Sequence, residues 1–306
     1  MSLSIYNKVN LNEPAPLSVV IPTYKREQVL LDTIEYLTLQ EPVPAEILIM
    51  DQTPKHVSVT SHKLTQYEKT GKIRWIRLSK PSIPHAMNLG LKLSKQAIVL
   101  FLDDDIVPCK TLIKSHLIAH NQDKLNIIAG RVLQPWEKTH ANRNNRLFRF
   151  SSNQCQFIHE VIGCNFSVKR TLANDLGGFD ENFIKVAYRF EAEFCDRALD
   201  AGNKIFFEPA ASIRHLKTES GGTRIYGHHL TTLQPSHAIG AYYYILQSKR
   251  KKNRLFRIFW RPLYALKSRF YLKHPWWIPI SLISELRGFY EAAKLKTKGP
   301  KYLHPL

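Results

Sequence analysis

The 306 residues are 44% apolar, enough for one large core with an appendage, and the formal net charge of +19 favours anionic partners such as nucleotides, nucleic acid or acidic lipid. No apolar run approaches the ~20 residues that span a membrane, and residues 1–16 are polar, without the apolar centre of a signal peptide. Cys109, Cys155, Cys164 and Cys195 show neither paired metal-ligand spacing nor a disulfide framework, so a reducing cytoplasm is the expected setting.

Leu17-Ser18-Val19-Val20-Ile21 reads as a buried strand running into Pro22-Thr23-Tyr24-Lys25-Arg26. Val29, Leu30, Thr33, Ile34 and Leu37 then recur at helix spacing. Glu46-Ile47-Leu48-Ile49-Met50-Asp51 is a second apolar strand, closed by an acid, and Lys72 to Leu78 alternates like a third. Ala86-Met87-Asn88-Leu89-Gly90 opens a helix that leads to Ile98-Val99-Leu100-Phe101-Leu102, a run of five apolar residues ending in Asp103-Asp104-Asp105. This order of elements predicts an α/β domain with a mostly parallel, Rossmann-like sheet flanked by helices.

Strand ends carry the chemistry in such folds, because ligands bind outside the carboxyl edge of the sheet. Three consecutive acids there repel one another and call for a counter-charge, such as a hard divalent cation holding a diphosphate. Asp103 and Asp105 point to one side of an extended chain and Asp104 to the other, so the first and third acids form the useful pair. A solvated acidic turn is the plain alternative for this segment taken alone.

From residue 17 to 215 the order and spacing of motifs resembles the family 2 glycosyltransferases, which have the GT-A fold. The matching segments are Val19 to Arg26, Ile47 to Asp51, Ala86 to Gly90, Phe101 to Asp105, Gly163-Cys164-Asn165-Phe166, Gly177-Gly178-Phe179-Asp180, Glu191 to Arg197, and His215. The resemblance implies transfer of a sugar from a nucleotide diphosphate donor, UDP- or dTDP-sugar foremost, to a hydroxyl of a glycan or lipid-linked acceptor, with inversion at the anomeric carbon. It places Pro22, Thr23, Tyr24, Arg26, Asp51, Asn88, Asp103 and Asp104 around the donor. Asp105 becomes the main metal ligand, with Asp103 and His215 beside it, and Glu191 becomes the general base. Asn165, Gly178, Asp180 and Glu193 fall to the acceptor side. Oxygen ligands with one His suit Mn²⁺ or Mg²⁺. Two positions depart from the family pattern: Gln52 stands where a second acid is common, and Phe190 precedes Glu191 where an acid pair is common.

Phe190 to Leu199 reads as a helix ending near Gly202. Glu191 and Glu193 lie two apart, so on a helix they point about 160° away from each other and cannot serve one oxygen. An ion pair to Arg197 is the structural alternative for Glu193, and Asp196 reads as a solvated helix acid. Ala210 to Arg214 reads as a short strand delivering His215, and Ser220-Gly221-Gly222-Thr223-Arg224 as a polar loop near the diphosphate or an ordinary turn.

The division expected is an extension (1–16), a GT-A-like domain (17–232) and a helical, basic, aromatic-rich region (233–306). From Lys249 onward, 15 lysines and arginines stand against two glutamates, a net +13 interleaved with Leu255, Phe256, Phe259, Trp260, Tyr264, Trp276 and Trp277. That composition suits an anionic membrane interface, which would place the protein peripherally at the inner face of the plasma membrane, and the family resemblance implies a role there in cell-envelope polysaccharide synthesis. A helical appendage packed on the domain is the alternative. Two other functions stay open: a catalytically inactive scaffold, and a basic nucleic-acid-binding protein, for which no recognition motif is present. No nucleic acid partner is expected.

Overall fold

Runs of branched apolar residues become the strands, and their alternation divides the interior in two. Val20 faces one core while Val19 and Ile21 face the other, as side chains of successive strand residues must. The computed structural model describes residues 13–122, 125–137, 148–227, 230–250 and 253–303.

In chain order the first half holds β1 (Ala15–Thr23), α1 (Gln28–Thr38), β2 (Pro44–Asp51), α2 (Ser58–Lys69), β3 (Arg74–Arg77), α3 (Ile83–Leu93) and β4 (Ile98–Leu102). Then come β5 (Ile106–Pro108), α4 (Leu112–His120), β6 (Ile127–Leu133), β7 (Gln156–Ile158), β8 (Asn165–Lys169), α5 (Arg170–Asp175), α6 (Phe190–Asp200) and β9 (Ile205–His215). A 3₁₀ turn (Gly222–Tyr226) leads to α7 (Ser236–Gln247), α8 (Arg254–Ala265), α9 (Arg269–Lys273) and α10 (Ile278–Thr297).

The described strands form one sheet in the order β3-β2-β1-β4-β8-β6-β9-β5, with β7 on β9. The first four are parallel, as expected. Beyond β4 the sheet is mixed: β8 runs antiparallel to both β4 and β6, and β5 and β7 run antiparallel to β9. Helix α2 adds a crossover that the sequence reading passed over. Its apolar pattern is thin, with Leu64 and Tyr67 its large buried residues, yet two parallel strands need such a connection. Helix α3 starts earlier than Ala86, because Ser82 caps it and Pro84 fits its first turn.

The expected boundary at 232 runs through a shared core. Ala238, Tyr242, Tyr243 and Tyr244 of α7 and Ala292 of α10 belong to the same apolar cluster as Val20 and Phe101. Residues 299–303 also return to the domain, where Leu303 N donates to Gly177 O (2.7 Å) and Glu181 N to Lys301 O (2.9 Å). Helix α8 is different. It turns Ile258 and Arg261 toward the protein and its large apolar side chains toward solvent. Among the described residues no helix is long and apolar enough to cross a membrane.

Candidate active site

Strands β1 and β4 are adjacent, with Val20 paired to Phe101, so their carboxyl ends open on the same rim. Thr23 at the end of β1 donates from Oγ1 to Asp104 Oδ2 at 2.7 Å. Thr33 of α1 braces the backbone beneath by donating to Asp104 O at 2.9 Å. Arg26, buried in the turn after β1, forms ion pairs with Asp104 (3.3 Å) and Asp105 (3.4 Å). Its Nη1 also donates to the Thr218 hydroxyl and the Ser220 carbonyl. One guanidinium therefore supplies the counter-charge for two of the three acids and fastens the 218–222 loop to them.

Sequence-distant pairing delivers His215. Strand β5 follows the acids directly and runs antiparallel to β9, with Ile106 opposite His215. His215 Nε2 lies 3.1 Å from Asp105 Oδ1 and 3.5 Å from Asp103 Oδ2. One ligand atom from each of the three residues falls within 4.8 Å of the others. Two carboxylates and an imidazole at this spacing fit a Mn²⁺- or Mg²⁺-sized ion after small side-chain shifts. Asp103 has 45% of its side chain exposed and faces the cavity. Asp105 is held from behind by Thr218 N and Oγ1, both at 3.0 Å. His215 Nδ1 is buried without a hydrogen-bond partner among the described residues.

Burial pushes Asp104 up to about 7 against the pull of Arg26. Asp103, less enclosed, is raised as well by partial desolvation and by the charge of Asp105, with His215 opposing the rise. Burial also works against the charge of Asp105, but His215, Arg26 and the Thr218 amide outweigh it and hold that carboxyl below its usual range. The same acids raise His215 against its own burial.

The rim opens into a cavity of about 340 Å³. Pro22, Thr23, Tyr24 and Gln52 line it, together with the three acids, His215 and Lys217. Gly163 and Cys164, the 185–188 loop and Glu191 also line it. The loop's backbone is strained: Lys185, Ala187 and Arg189 all have positive φ (60°, 51° and 76°), a conformation costly for residues with a Cβ. Phe190 packs on Phe179 at 5.6 Å between ring centres and anchors the start of α6. Glu191 follows it into the cavity beside Gly163. No other side chain pairs with its carboxylate among the described contacts, and burial pushes its pKa up to about 7, with Arg189 opposing.

Several expected residues lie elsewhere. Asp51 is turned away from the cavity: its carboxylate accepts from Trp75 Nε1 (2.8 Å) and Thr53 N (2.9 Å) and shares a hydrogen bond with His56 Nε2 (2.8 Å). Gln52, its neighbour on the other side of the strand end, takes the cavity wall. Asn165 is fully buried in a polar knot, 3.0 Å from His116 Nε2 and donating to the carbonyls of Arg131 and Ala211. Burial holds His116 and His120 there at about 4 and about 3, so both are neutral.

Asn88 clips the 178–181 turn, accepting from Phe179 N and donating to Phe179 O, each at 2.8 Å. Gly178 must be glycine here, since it has φ 66° and a Cβ would lie 2.4 Å from Asn88 Oδ1. Asp180 accepts from Tyr243 Oη (2.7 Å) and Lys301 N (2.9 Å). Glu193 pairs with Arg197 (2.7 Å) and accepts from Tyr302 Oη (3.0 Å). None of these four lines the cavity, nor do Asp51 and Asn165. Asp196 is buried rather than solvated, and accepts from Tyr244 Oη and Ser248 Oγ. The 218–222 loop does sit at the site: Gly222 N donates to Tyr24 O, and a Cβ on Gly221 would lie 2.3 Å from Lys25 O. The Arg224 side chain lies outside the described residues. Gln52, Lys217 and Tyr188 are cavity residues that the motif reading left out of its site. Gln52 was legible as the neighbour of Asp51, whereas the other two carried no signal.

A sheet with this order, with paired acids at a strand end, is the GT-A glycosyltransferase fold. The mannosyltransferase PcManGT of Pyrobaculum calidifontis, solved with GDP-Man and Mn²⁺, matches with a TM-score of 0.54 at 14% identity, over 96% of this chain and 84% of its own. TarS of S. aureus (residues 1-349), solved with UDP-GlcNAc, matches with a TM-score of 0.55 at 14% identity, over 94% and 93%. The sequence pattern of Glycosyl transferase family 2 matches residues 18–177, just over half of the chain, and the protein belongs to that family. It is thus a glycosyltransferase. The chondroitin synthase of Pasteurella multocida is 23% identical over 258 residues, or 69% of this chain. The chain spans 26% of that relative's length.

Proposed function

We propose that the protein transfers a sugar from a nucleotide diphosphate donor to an acceptor hydroxyl in one displacement, inverting the anomeric centre. The observation that carries this reading is a carboxylate, Glu191, that has no side-chain partner among the described residues and faces the same 340 Å³ cavity as the Asp103, Asp105 and His215 cluster. Pro22, Thr23, Tyr24 and Gln52 form the wall against which the nucleotide lies. Arg26 fixes the acids in place, and Lys217 adds positive charge beside the diphosphate. Asp103, Asp105 and His215 would hold a divalent cation, which when bound supplies charge to offset the leaving diphosphate. The structures solved with Mn²⁺ and GDP-Man, and with UDP-GlcNAc, support both the cation and the donor class.

Glu191 takes the acceptor proton as the oxygen attacks. An ordinary carboxylate is a weak base, and a pKa raised to about 7 makes it a better one that still ionises near neutral pH. The acceptor enters along the Lys185–Tyr188 side and is a glycan or a lipid-linked sugar. The test is a thermal-shift screen of UDP-, GDP-, dTDP- and CMP-sugars with Mn²⁺, Mg²⁺ or EDTA. The expected result is a metal-dependent rise with one nucleotide. No rise with any of them would sink the donor site.

A further inference from the structure

Helix α8 is built the wrong way round for a surface helix in water. The side facing the protein carries Ile258, packed on the core, and Arg261, ion-paired to Glu285 at 3.1 Å. The opposite side carries Leu255, Phe256, Phe259, Trp260, Leu263 and Tyr264, and each is more than half exposed, Phe259 reaching 77%. At 100° per residue these six span one continuous half of the helix. Exposed apolar patches of this kind mark a surface that something covers. Leu272 (84%) and Trp276 (63%), just downstream, are also exposed.

We infer that the outer face of α8 docks into the interface of an anionic lipid bilayer. Charge selects this occupant. Lys249, Arg250, Arg254 and Arg257 lie before and along the helix, and Lys267, Arg269 and Lys273 follow it. No acid falls between residues 249 and 284. A second copy of the chain would bring the same basic fringe against this one and be repelled. Nucleic acid would satisfy the arginines but leave Leu255, Phe259 and Leu263 against phosphates and water. A bilayer satisfies both sets: acyl chains take the leucines and Phe259, acidic headgroups take the basic fringe, and Trp260 and Tyr264 suit the boundary between them.

The face adjoins the reaction site. Phe256, Trp260 and Tyr264 also line a groove of about 570 Å³ that is shared with Tyr188 and Arg189, and Tyr188 walls the main cavity as well. Docked this way, the enzyme presents its acceptor side to the lipid surface, a consequence that rests on the transfer reaction proposed above. The docking itself is read from binding alone, so its failure is distinct from failure of that reaction.

The experiment is flotation of the full chain with phosphatidylcholine vesicles, alone and mixed with phosphatidylglycerol, at low and high salt. The same assay is run on the combined Leu255→Ser, Phe259→Ser and Leu263→Ser protein, and on Phe259→Ser alone as a milder change. Wild type is expected to float with the anionic vesicles only and less so in high salt. The triple variant should bind at least ~10-fold more weakly while keeping its Tm and its donor-induced thermal shift. Equal flotation of wild type and both variants would overturn the inference. So would a wild type that ignores anionic vesicles, and a concentration-dependent dimer dissolved by the same substitutions would then assign the face to a second copy.

Discussion

Glu191 and Glu193 lie two residues apart in the first turn of α6, yet each belongs to a different acidic region and the two regions are built for opposite ends. In the cavity, Glu191 has no partner side chain among the described residues, and Asp103 of the β4 end is nearly half exposed. Two residues along the helix, Glu193 is saturated by Arg197 and Tyr302, and nearby Asp180 is saturated by Tyr243 and the returning 299–303 segment. The difference teaches that an acid's partners, rather than its place in a motif, decide whether it does chemistry or holds the chain together. A free carboxylate in a low-dielectric pocket keeps its appetite for a proton or a cation, whereas a bonded one has already spent it.

The comparison can be broken or sharpened by substitution, starting with the open region. Asp105→Ala should abolish the metal-dependent part of any donor-induced thermal shift, because it removes a ligand held in place by Thr218, and EDTA should do the same to wild type. Glu191→Gln should keep the donor shift and lose transfer by ~100-fold or more in single-turnover assays. Normal turnover in that variant would remove Glu191 from the base role.

The pH profile follows from the same carboxyl. A base must be deprotonated, and burial raises this pKa to about 7, so transfer should climb as pH rises through about 7 and then level off. The climb should vanish from the residual rate of Glu191→Gln.

In the closed region the expected effects are on stability. Asp180→Asn weakens a fully buried acceptor of Tyr243 Oη and Lys301 N and should cost about 2 kcal/mol, seen as a lower Tm with transfer per folded molecule unchanged. Glu193→Gln should cost about 1 kcal/mol, since the amide oxygen can still accept from Arg197. Loss of transfer in either protein at an unchanged Tm would dissolve the distinction between the regions.

Much of the fold was legible because its signals are local. The apolar runs ending at Ile21, Met50 and Leu102 predict parallel strands, and they pair in the expected half of the sheet. Helix α2 escaped notice because its buried stripe is only Leu64 and Tyr67 with small residues around them. The mixed second half escaped because β5 and β7 are three residues each, too short for alternation to register. The acids and His215 were found from motif order, while the turning of Asp51 and the donation of Asn88, Asn165 and Asp180 to internal bonds were not. Those outcomes depend on partners 24 to 121 residues away, such as Trp75 for Asp51 and Lys301 for Asp180.

By itself, the sequence determined where the parallel strands of the first half run, that acids gather at their carboxyl ends, and that the last sixty residues join basic with aromatic side chains. These follow from side-chain type and spacing along one chain. Only the tertiary structure decided which acids stay free, which strand pairing carries His215 to Asp105, and which half of α8 faces outward. Each of those is set by contacts between segments far apart in sequence, where packing and charge pairing leave one side chain satisfied and its neighbour exposed.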